Sequence, residues 1–277
     1  MGWGLGDTCP LWDYLCLVPA PRTSPTSHLL HIRIGTSSKP SAILLERHVL
    51  WLDQQLHTCY HEAHTNVERA EFARAGLANT LLWISWLRSS EAFGLCFDDV
   101  AVIHPNDGAS AELPPGCGAV TLTLLPETKG NRTACGDVVM AYHTAGGFSV
   151  GRWFRRLRHA LNITHDSGDG QAKLFTSPTG KPWTSRYFRH TYLYPALLAQ
   201  RAAGDPHLSQ FDDSPGKSLV EQFWSVSRRK VGLRRKASQD EVYEHGRWRR
   251  RRVGEAVDVL YREWTLGDRV LLTWVFQ

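Results

Sequence analysis

The chain has 277 residues, 42% of them hydrophobic, with eleven tryptophans and a formal net charge of +5. That length and apolar content accommodate a sizeable core and exclude a globally disordered polymer. No apolar run approaches the roughly 18 residues needed to span a bilayer, so a soluble protein with no membrane partner is expected.

Residues 1–40 are rich in Gly, Pro, Ser and Thr and read as an irregular leader. From Ser41 to about His64, Leu45, Val49, Leu52 and Leu56 recur at spacings of four, three and four, which predicts an amphipathic helix. A second helix is expected from about Val67 to Phe93. Leu77, Leu81, Ile84 and Arg88 repeat the same spacing, so Arg88 extends the apolar stripe, and Gly94 is expected as a left-handed cap. A guanidinium there is costly unless an anion meets it, and Glu91 lies one helical turn away.

Three strand-like segments follow: Val100 to His104, Val120 to Leu125 and Val138 to His143. The last two read as a hairpin whose loop carries Lys129-Gly130-Asn131. Helix returns from Phe148 to Leu161. A turn-rich stretch from Leu174 to Pro182 leads into helix from about Thr184 to Ala203, interrupted at Pro195 and stopped by Gly204-Asp205-Pro206. Beyond the 204–218 gap come the apolar Leu219 to Trp224, a basic segment, and a helix from Glu255 to Trp264 bearing Tyr261. The terminal Val270 to Phe276 is apolar enough to dock on this chain or on a partner.

Charge is concentrated. Between Arg228 and Arg252 stand eleven Lys/Arg against Asp240, Glu241 and Glu244, a net of about eight positive charges that suits a polyanion. Six cysteines show no C-x-x-C spacing, and Cys59, His61 and His64 lack a second ligand pair, so neither a metal site nor a disulfide framework is expected. Free thiols fit a reducing nucleus or cytoplasm. The first residues lack a basic secretory n-region, and Gly6 stands where a myristoylation motif wants Ser or Thr.

Arg88, Glu91, Leu95 and Asp98 or Asp99 form an Arg-x-x-Glu segment followed by Leu and Asp. A lysine-bearing hairpin, helices, the Gly246-Arg247-Trp248 element and Tyr261 come after it, in that order. This arrangement resembles the tyrosine recombinase/integrase family, and its Gly-Arg-Trp variant looks most like the Crypton-type recombinases of mobile elements. The resemblance covers about 41–277 and implies a catalytic domain there, with 41–66 as a remnant of the core-binding region. It implies a mainly α, α+β fold: a helical DNA breaking-rejoining core with a small three-stranded antiparallel sheet.

The chemistry so implied is transesterification on double-stranded DNA, with no metal and no cofactor, by a protein that acts as a homo-oligomer. Tyr261 would attack phosphorus and leave a 3′-phosphotyrosine. Arg88, supported by Glu91, would clamp the non-bridging oxygens, Lys129 would protonate the leaving oxygen, and His245 or Trp248 would hold a phosphate oxygen. Arg234, Arg235, Lys236, Arg247, Arg249 and Arg250 would contact DNA. One departure stands out. The family's His-x-x-Arg box has its best counterpart at Arg228 and Arg229, where Ser225 or Val226 takes the histidine position. Two other readings therefore remain open: a DNA-binding relic of the fold that no longer cuts, and a basic protein that binds nucleic acid through its arginine tract.

Overall fold

Apolar residues at helical intervals set up two long helices, each with one buried face. In the computed structural model, which describes residues 44–85, 87, 89–105, 113, 117–124, 137–164 and 170–209, α1 (Glu46–Glu62) buries Val49, Leu52 and Leu56. α2 (Asn66–Ile84) begins at a reciprocal cap. Glu68 N–H donates to Thr65 Oγ1 at 3.2 Å, and Thr65 N–H donates to Glu68 Oε2 at 2.9 Å. Leu77, Leu81 and Ile84 are buried as the spacing predicts.

The second helix is shorter than expected. It stops at Ile84: Ser85 N–H makes the last backbone bond to the Leu81 carbonyl at 2.9 Å, and Ser85 Oγ donates to the same oxygen at 2.6 Å and accepts from Leu87 N–H at 3.4 Å. A separate short helix, α3 (Ser89–Ala92), follows. The stripe from Leu77 to Ile84 therefore does not run on as one continuous helix to position 88. Gly94 is not left-handed either; among the described residues only Gly147, Gly180, Gly204 and Asn162 have positive φ. The turn instead tightens, with Gly94 N–H donating to Glu91 O at 3.2 Å and Leu95 N–H to Ala92 O at 3.3 Å.

β1 (Val100–Ile103), β2 (Ala119–Thr123) and β3 (Asp137–Ala141) form an antiparallel sheet in the order β1-β2-β3. Val120 pairs with Val102 on one side and Met140 on the other. Strand alternation sends Val120, Leu122, Val138 and Met140 into the main core, while Ala119, Val139 and Ala141 form a small cluster of their own. The expected hairpin is present, with each strand ending a residue or two before the predicted limit.

α4 (Val150–Ala160) starts at Ser149, whose Oγ accepts from Arg152 N–H at 3.2 Å. Its inner face crosses α2 at Gly76. A Cβ on Gly76 would lie 2.3 Å from the Trp153 ring, so only glycine permits this approach. The helix predicted from about Thr184 to Ala203 is interrupted as expected: α5 (Ser185–Phe188), a π turn over Arg189–Leu193, then α6 (Tyr194–Ala202). Pro195, which has no N–H to donate, stands in the first turn of α6, and the wider turn comes just before it. Gly204, at φ 90°, ends the helix.

Asp205 then closes the unit. Its carboxylate takes Arg47 at 2.9–3.1 Å and His48 Nε2 at 3.0 Å, tying the start of α1 to the end of α6. Phe93, Phe175, Trp183, Phe188 and Tyr192 add an aromatic block to the same core, with Phe93 and Phe175 meeting edge to face at 5.4 Å. The described structure is a mainly helical α+β fold with one small antiparallel sheet. None of its helices is long and apolar enough to cross a membrane.

Candidate functional site

Glu91 sits in α3, partly buried, on a segment fixed by apolar neighbours. Leu87, Ala92, Phe93, Leu95 and Phe97 are all buried. The backbone after Gly94 is held against residues 170–174: Leu174 N–H donates to Leu95 O at 2.9 Å, Phe97 N–H to Ala172 O at 3.2 Å, and Asp98 N–H to Gly170 O at 2.9 Å. Leu174 is held in turn by Arg74 Nε, which donates to its carbonyl at 3.2 Å.

The two candidate aspartates have different jobs. Asp99 accepts the Cys96 N–H at 2.7 Å and caps the turn that launches β1. Asp98 is exposed and accepts from the Gln171 side chain at 3.1 Å. The Glu91 segment is thus coupled through Asp99 to the sheet. The β2–β3 pairing closes at Thr123 opposite Asp137, so the chain between these strands is the hairpin connection.

Of the residues given a catalytic, supporting or DNA-binding role from the sequence, Glu91 alone is described. Arg88, Lys129, Arg228, Arg229, His245, Trp248 and Tyr261 lie outside the described residues. So do Arg234, Arg235, Lys236, Arg247, Arg249 and Arg250, together with the 1–40 leader and the apolar terminus. Among the described residues no three His, Cys, Asp or Glu group as a metal site.

A second polar assembly went unread in the sequence. On α4, Arg152, Arg155, Arg156 and His159 recur at intervals of three, one and three, which places them on one face. The Arg156 guanidinium lies over the rings of Tyr60 at 4.7 Å and Trp153 at 4.9 Å. Its Nη2 stands 2.9 Å from His57 Nε2 and 2.9 Å from His61 Nε2. A guanidinium only donates, so in these two contacts the Nε2 atoms accept. Burial, then the charges of Arg156 and its neighbours, lowers His57 to about 4.

Beneath this surface, Asp53 Oδ1 accepts Trp153 Nε1–H at 2.7 Å and Thr80 Oγ1–H at 3.1 Å. Burial pushes the Asp53 carboxyl up to about 6. On the other flank Arg155 Nη1 lies 3.3 Å from His104 Nε2. A cavity of about 800 Å³ opens there, lined by Phe97, Val100, Phe154 and Ile163 and bordered by Arg155 and Arg158. Among the described residues, none of Arg152, Arg155, Arg156 and Arg158 forms an ion pair. The signal for this assembly was available as a His-x-x-x-His on α1 and arginines at helical spacing on α4.

No family model matches this chain, and no curated protein or solved structure matches it.

Proposed function

We propose that the chain is a tyrosine recombinase-like protein that breaks and rejoins duplex DNA in the recombination or integration of a mobile element. The observation that carries this reading is the antiparallel β1-β2-β3 sheet launched directly from the Glu91 segment by Asp99. With it, the Arg-x-x-Glu segment, the lysine-bearing hairpin connection and the downstream tyrosine follow one another in the order such a nucleophilic site requires.

In this reading Tyr261 forms the bond to phosphorus and the bond to the 5′ oxygen breaks, with Lys129 supplying its proton. Arg88 and Arg228 or Arg229 balance the charge that grows on the non-bridging oxygens, each such donor contributing about 3 kcal/mol. Trp248 or His245 holds one of those oxygens through a ring N–H. The cations around Tyr261 favour its phenolate, because a free phenol ionises only near pH 10.

A second reading has its own observation: Ser225 or Val226 occupies the place of the histidine in the family's second box. That substitution favours a relic that grips DNA without cutting it. A nicked suicide substrate separates the two. Covalent protein–DNA adduct that survives denaturation and disappears in Tyr261→Phe supports the recombinase; no adduct on any substrate supports the relic. Arg88→Ala is expected to remove the adduct while leaving affinity within about threefold, because many phosphate contacts share the binding. A basic protein that prefers RNA to duplex DNA across a salt series would overturn both.

A further inference from the structure

The outer face of α4 carries more positive charge than the described structure neutralises. Arg152, Arg155, Arg156 and His159 share that face, and the edge of α1 adds His57 and His61. Arg155, His159 and His61 are exposed; Arg152, Arg156 and His57 are half-buried. The carboxylate nearest beneath, Asp53, is buried and committed to Trp153 and Thr80.

Arg156 is held in place rather than left to sweep through solvent. Two aromatic faces and two imidazole nitrogens fix its guanidinium, and its Nη1 is buried with no hydrogen-bond partner among the described residues. Holding a half-buried cation against neutral acceptors is costly unless an anion completes the site.

We infer that this α1–α4 face is a docking surface for the phosphate backbone of duplex DNA. The face itself is independent of Tyr261; the choice of DNA as the polyanion rests on the proposed function. From Arg152 to His159 the helix advances about 10 Å, the axial length of about three phosphates on one strand. Charge, shape and length agree with a backbone contact that reads no bases.

The test measures binding of a fluorescent 20-base-pair duplex to the full chain over a salt series. Arg152→Gln/Arg155→Gln/His159→Gln leaves the packed Arg156 in place. It is expected to lower the slope of log affinity on log salt by about two and to weaken binding about tenfold. A triple variant with the wild-type melting temperature, slope and affinity overturns the assignment, as does a loss seen on single-stranded RNA and not on the duplex. If the triple variant fails to fold, Arg155→Gln/His159→Gln decides, since both side chains are exposed: an unchanged slope refutes the surface. Tyr261→Phe keeps the wild-type slope while losing any adduct, so failure of the chemistry and failure of the surface read out separately.

Discussion

Two clusters in this molecule combine one arginine with histidine, and they end in opposite states. At the ends of the described chain, Arg47 and His48 share the carboxylate of Asp205. His48 Nδ1 accepts the Leu45 N–H at 3.0 Å, so its proton sits on Nε2 and is donated to Asp205. Burial drives His48 down to about 4. Burial also tends to raise Asp205, but its bonds from Arg47, the His207 backbone and His48 together hold it below the usual carboxylate range. This cluster closes on itself and staples positions 158 residues apart. At the α1–α4 seam, Arg156 meets His57 and His61 with no carboxylate, and its charge stays available to something outside. The same side chains make a staple or a binding face according to one acidic residue.

The largest expected effect breaks the platform under the open cluster. Gly76→Ala forces a methyl against the Trp153 ring, which carries both the cation–π contact with Arg156 and the bond to Asp53. Overpacking with the lost hydrogen bond is expected to cost about 4 kcal/mol, although alanine is the better helix former. A urea midpoint at or above the wild-type value would show that the two helices separate more easily than their packing implies.

Breaking the closed cluster comes next. Asp205→Ala leaves Arg47 and the fully buried His48 without their shared acceptor and turns this cluster into a second open one. A loss of about 3 kcal/mol is expected, since the penalty falls on groups left unpaired. Equilibrium unfolding measures it; a loss under about 0.5 kcal/mol would reduce the pair to a surface contact.

The two clusters also differ in their answer to acid. His48 has its folded pKa depressed from 6.5 to about 4, so its contribution is fully present above pH 6.5 and is lost as pH falls through about 4. Asp53, under the open cluster, has the opposite sign. Its folded value is raised from 3.8 to about 6, so its contribution is present below pH 3.8 and is lost as pH rises through about 6. Asp53→Asn keeps an oxygen for Trp153 and Thr80 but removes the titration. Between pH 4 and 6 it is expected to gain about 2 kcal/mol on the wild type as pH rises. Parallel stability curves for the two proteins would mean that Asp53 does not titrate in that window.

Period and alternation made much of this fold legible. The helices over Leu45 to Leu56 and Leu77 to Ile84, the three strands and the break near Pro195 all follow from spacings of three, four and two. Tertiary hydrogen bonds were not legible. The apolar stripe predicts helix on to Phe93, whereas Ser85 caps it after Ile84, its hydroxyl bridging the Leu81 carbonyl and the Leu87 N–H. Gly94 closed a tight turn instead of adopting a left-handed cap. Of the recombinase-like constellation, the sequence order selects residues spread from 88 to 261, of which the described structure contains Glu91 and its anchoring. The α1–α4 face escaped because its members lie about a hundred positions apart, on helices whose crossing depends on Gly76 and Trp153.

The smallest effect sharpens the comparison by converting the open cluster into the closed kind. His57→Glu supplies Arg156 with the carboxylate that Asp205 gives Arg47. The new pair is half-exposed, so a stability gain of only about 0.5 kcal/mol is expected. Its larger consequence is on binding. A neutralised Arg156 no longer seeks an external anion, and the added negative charge repels phosphate, so duplex affinity should fall while the melting temperature holds or rises. A stabilised variant with unchanged affinity would mean that Arg156 serves packing alone, and that the charge of this face lies in Arg152, Arg155 and His159.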